Sequence, residues 1–167
     1  QDELFLNLVK TLDEQVKIYR NLLEVVRRER EILISANLDE LSENNKAKEA
    51  MLIKVRQLEQ ERIQYAADLS ESLGLDRENP RLLEMAKYMP GEQGERLQSI
   101  HSVLDLLLKR VQEYNQQNEV LVQAALENMR GAMKAIRDSL QEKPTYKKQG
   151  EVAAQPVSSG QLVSRQV

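Results

Sequence analysis

The chain has 167 residues, 31% of them charged and 4% aromatic, with no Cys and no Trp. That length fits one domain with a core built from aliphatic side chains, and the missing cysteines exclude disulfides, thiolate metal sites and a cysteine nucleophile. The balance of 24 basic against 27 acidic residues lacks the basic excess of a nucleic-acid binder, and no apolar run approaches the ~18 to 20 residues of a membrane span. Gln1-Asp2-Glu3 does not resemble the start of a signal peptide. A cytoplasmic location, no nucleic-acid partner and no membrane insertion are therefore expected.

Residues 2 to 35 contain neither Gly nor Pro, and Phe5, Leu8, Leu12, Val16, Tyr19, Leu22, Val26 and Leu33 recur mostly in steps of three or four. This period predicts a helix with one apolar face, and Arg27-Arg28-Glu29-Arg30-Glu31 reads as a solvated face. A break is expected at Ser35-Ala36-Asn37, with Asn37 in the left-handed conformation and Asn37 or Asp39 capping the next helix. That second helix carries Leu41, Met51/Leu52, Val55, Leu58, Tyr65/Ala66, Leu69 and Leu73, and Gly74 is placed to stop it. So short a connection predicts an antiparallel hairpin. Asn79-Pro80 suits entry to a short helix over 81–88, and Pro90-Gly91 and Gly94 read as turns.

Residues 95–141 read as one long helix whose stripe runs through several heptads from Leu97 to Leu140, with Pro144 closing it. The predicted fold is all-α: an elongated antiparallel hairpin plus a long C-terminal helix, three long helices and one short, in a coiled-coil-like bundle. Residues 1–142 form its helical domain, and 143–167 read as a flexible tail with no sustained periodicity.

Catalytic and metal chemistry find little support. A di-metal bundle needs a Glu-x-x-His pair on each of two helices, whereas His101 is the only histidine and Gln98 stands three residues before it. The acids alternate with Lys and Arg at surface ion-pair spacings, without Gly-rich turns or aromatic walls to build a pocket. No cofactor and no enzyme activity are expected. Asn118 shares the heptad phase of Leu104 and Val111, which makes it a candidate register device facing other helices.

Helix lengths point to a binding surface. At 1.5 Å per residue the first two helices reach ~50 Å and the last ~70 Å, so the hairpin should cover the last helix only to about residue 128. Met129, Met133, Ile136 and Leu140 continue the stripe beyond that point at i, i+4, i+7 and i+11. Methionine gives an adaptable apolar surface, suited to holding partner helices. These four are the candidate client-binding residues; the rival use is a self-association seam in a permanent homo-oligomer.

Two stretches carry a family resemblance. The first runs from Leu22-Leu23-Glu24 through Glu29-Arg30-Glu31-Ile32-Leu33 and Asn37-Leu38-Asp39-Glu40-Leu41 to Met51-Leu52 and Leu58-Glu59. The second is Asn115-Gln116-Gln117-Asn118-Glu119-Val120-Leu121, followed by Thr145-Tyr146-Lys147-Lys148-Gln149-Gly150. In order and spacing these resemble the FlgN family of flagellar type III export chaperones. The resemblance implies a small cytosolic helical protein that binds hook-filament junction subunits, keeps them unpolymerised and delivers them to the export gate. Tyr146, within the family-like ending, is a candidate contact to the gate or the client. Val152 to Val167 match no motif of the family.

Overall fold

A computed structural model describes residues 1–142 of the chain. It contains four helices: α1 Asp2–Ser35, α2 Leu38–Ser72, α3 Leu82–Tyr88 and α4 Gly91–Glu142. Among the described residues there is no strand, so the all-α reading holds. The chain divides into two compact units, residues 1–121 and 122–167. The second is described as far as Glu142, the end of α4; the expected tail, residues 143–167 with Pro144, lies outside the described residues.

The hairpin turn differs from expectation by one residue. Ala36, not Asn37, takes the left-handed conformation, at φ 58°. Asn37 is instead extended and caps α2, its Oδ1 accepting from the Glu40 N–H at 3.2 Å. An Asn cap satisfies one of the first-turn amides of a helix, and that gain offsets the ~1 to 2 kcal/mol an alanine loses in left-handed backbone. At the far end of α2 the expected stop is present. Gly74 has φ 75°; its N–H reaches Glu71 O at 3.0 Å, and the Leu75 N–H reaches Ser70 O at 2.9 Å. These two nested bonds satisfy carbonyls that the helix end would otherwise leave unpaired.

The long last helix starts earlier than its glycines suggest. α4 begins at Gly91, and Gly94 lies in its first turn rather than in a loop. A Cβ at Gly94 would stand 2.5 Å from Ala86 O and 3.2 Å from Met89 O. Gly94 is there because the end of α3 packs on the backbone of α4, a steric demand that resembles a turn signal in sequence. Glu142 is the last residue of α4, one past the expected end.

The main core of the first unit draws on all four helices. Phe5, Leu8 and Leu12 of α1 meet Ala66 and Leu69 of α2, Met85 and Ala86 of α3, and Leu97, Ile100 and Leu104 of α4. A second cluster joins Leu22, Val26 and Val111, flanked by Met51, Leu52, Val55 and Tyr114. Burial of apolar area at ~25 cal/mol per Å² makes these clusters the source of the unit's stability.

Candidate functional site

Next to the second cluster the interior turns polar. Asn118 is 2% exposed, and its Nδ2 donates to Val26 O at 2.9 Å and to Glu29 Oε1 at 3.1 Å. The Lys48 Nζ donates to Glu29 Oε2 at 3.0 Å and reaches Asn115 Oδ1 at 3.5 Å. Asn44 of α2 donates to Val25 O at 3.1 Å. Two asparagines from different helices thus hold consecutive carbonyls of α1, with Glu29 as the charged hub between α2 and α4. Glu29 is 8% exposed, which corrects the reading of its charged run as wholly solvated. Its partners stand 19 and 89 residues away in the chain. The Asn118 Oδ1 is buried without a hydrogen-bond partner.

One helical turn after Leu12, a second polar group borders the main core. Gln15, 2% exposed, donates from Nε2 to Glu59 Oε2 at 2.9 Å, and Arg62 grips the same carboxylate at 2.9 and 2.6 Å. The Arg62 hydrogen bonds hold the Glu59 carboxyl below the usual range against the opposing effect of desolvation. Burial, reinforced by the negative charge of Glu59, pushes the Tyr19 phenol above its usual value. Tyr19, His101 and Leu108 line a shallow pocket beside this pair, with His101 half-buried at its edge. No group of three potential metal ligands occurs among the described residues.

Beyond Leu121 the character of α4 changes. Asn118 is its last buried side chain, and none from 119 to 142 is buried. Burial therefore ends well before residue 128, consistent with a helix that starts four residues earlier than expected. Met129, Met133 and Ile136 are 62%, 53% and 58% exposed, and Leu140 is half-buried. Val122 and Leu126, also exposed, extend the same line toward the N-terminus. The six positions 122, 126, 129, 133, 136 and 140 alternate steps of four and three without a break. A strict seam of this width is what a partner helix covers. Leu126 was not legible in sequence because the heptad phase of Leu104, Val111 and Asn118 continues to Ala125, one residue before it. Tyr146 lies outside the described residues.

No helix among the described residues is long and apolar enough to cross a membrane. No curated protein and no solved structure matches the chain. The family model described as FlgN protein does match it, over residues 4–154. That span includes all four helices except the first two residues of α1, together with the buried Asn118 and the exposed seam. The chain belongs to the FlgN family and is, in general terms, a flagellar export chaperone.

Proposed function

We propose that this protein is a cytoplasmic chaperone of hook-filament junction subunits, which it keeps unpolymerised and delivers to the type III export gate. The observation that carries the reading is the exposed seam of α4 through Met129, Met133, Ile136 and Leu140. A terminal client segment that is disordered before assembly can fold as a helix on such a seam, hiding the surface it later uses to polymerise. Methionines at two of the positions let one seam accept clients of different shape. Asn118 serves as the register device of the bundle, and Tyr146 acts at the gate.

Titration calorimetry with purified junction subunits tests the reading. Burying a Met or Ile side chain contributes ~1.5 to 3 kcal/mol, so Met133→Asp with Ile136→Asp weakens binding at least tenfold. The melting temperature of the first unit stays unchanged. Unaltered affinity moves the client site to the hairpin, and a collapsed melting temperature makes the seam ordinary core. Tyr146→Ala is expected to spare client binding and block export.

A further inference from the structure

The seam has two unlike edges. Arg130, Lys134 and Arg137 follow one another at i, i+4 and i+7, which places them along one side of the apolar line. Ala125, Ala132 and Ser139, at i, i+7 and i+14, run along the other. The acids of this stretch, Glu127, Asp138 and Glu142, fall on neither edge but on the opposite side of the helix. Among the described residues, Arg130, Lys134 and Arg137 make no ion pair; the pair farthest along the chain is Lys109–Asp105. Three cations thus border an exposed hydrophobic line without a formed ion pair among the described residues, although Glu127 stands three residues before Arg130 and Asp138 four after Lys134.

We infer that the occupant of this seam is a helix with acidic side chains along one edge, set against Arg130, Lys134 and Arg137, and that it approaches closest over Ala125, Ala132 and Ser139. The inference rests on the proposed role of the seam in client binding and adds the chemistry of the client. Flanking charges choose partner and orientation in helix pairs. Small side chains on one edge let two backbones draw together.

The same pattern disfavours the other occupants. In a second copy paired antiparallel, Arg130 and Arg137 of one chain meet those of the other. In a parallel pair they face Ala132 and Ser139 and gain nothing. An anionic bilayer suits a broad apolar face with cations across the whole polar side. Here the seam is narrow, and three acids balance the three cations.

The test uses the full chain and three synthetic amphipathic peptides of three heptads. All share one leucine seam and carry Glu, Gln or Lys along one edge. At ~0.05 M salt the Glu peptide should bind roughly 60-fold tighter than the Lys peptide, with the Gln peptide between them, each exposed pair contributing a factor of about two in either direction. The difference should shrink in ~1 M salt. Arg130→Glu with Arg137→Glu should invert the order of the peptides, which mere loss of folding cannot do. Junction subunits should bind this double variant about tenfold more weakly than the native chain.

Equal affinity for the three peptides, with all binding still lost in Met133→Asp/Ile136→Asp, overturns the inference and leaves client binding at the seam intact. Junction subunits that bind the Met133→Asp/Ile136→Asp variant normally overturn the functional reading of the seam, and the inference with it. Sedimentation as a dimer that peptide does not dissociate assigns the seam to a second copy. Tighter binding to phosphatidylserine vesicles than to any peptide assigns it to a membrane. Either result overturns the inference.

Discussion

Asn118 and Glu29 form a junction whose two halves oppose each other energetically. Replacing Asn118 by Leu removes the unbonded Oδ1 but takes a donor from a carboxylate that is nearly buried. These effects offset, and Asn118→Leu is expected to stay within about 1 kcal/mol of the native chain in chemical denaturation. Asn118→Asp has no such compensation. It sets an anion beside Glu29 and the Val26 carbonyl, and the expected loss is ~3 to 5 kcal/mol. Glu29→Gln should recover part of that loss, since residues in one polar network couple by ~0.5 to 3 kcal/mol. Glu59 supplies the pH counterpart. Its folded pKa is lowered, so its contribution is present above the ordinary value of 4.5 and is lost as pH falls through the lower folded value. Because the group is partly exposed, Glu59→Gln should remove under about 1 kcal/mol at pH 7 and flatten the acid limb of the stability curve. Heptad phase alone made the inward position of Asn118 legible. Glu29 was not legible, because a charged run of that kind reveals nothing about partners on other helices.

Two glycines of α4 separate local propensity from tertiary contact. Gly131 lies in helix interior with open space around it, so Gly131→Ala should gain the ~1 kcal/mol of intrinsic helix propensity. Far-UV circular dichroism of the full chain should show a higher helical signal on heating. Gly94 gains the same propensity in principle, but its Cβ would enter the carbonyl shell of Ala86 and Met89. Those contacts are backbone and cannot rotate away, so Gly94→Ala should lower stability by ~1 to 3 kcal/mol despite the better helix former. The contrast explains which element boundaries were legible. Gly74 ends α2 by its backbone conformation, a local rule that sequence carries. Gly91 and Gly94 looked like the same signal, yet α4 begins at one and packs on α3 through the other. The three long helices themselves were legible from their apolar periods, and the four-residue error at the start of α4 came from those two glycines.

Burial ends at Asn118 while the apolar period of α4 continues to Leu140, and this mismatch separates the residues that stabilise the fold from those free to bind. Substitutions in the two sets should therefore behave differently. Leu8 and Leu12 are fully buried in the main core, and truncating either to Ala should cost ~2 to 5 kcal/mol. Met129→Ala and Ile136→Ala should leave the thermal midpoint of the first unit in place. Hydrogen exchange gives the more searching check. An isolated helix of about six turns is marginal in water, because nucleation is costly and most helical stability comes from packing an apolar face. With no buried side chain beyond Asn118, the amides of Val122–Glu142 should exchange orders of magnitude faster than those of Leu104–Val111. Saturating client should slow the first group and leave the second unchanged, since only the seam acquires a covering helix. Protection of Val122–Glu142 in the free chain to the level of the core would show that the seam is already covered, either by another copy or by residues of this chain. Uniform protection of the core on client binding would place the client on the hairpin.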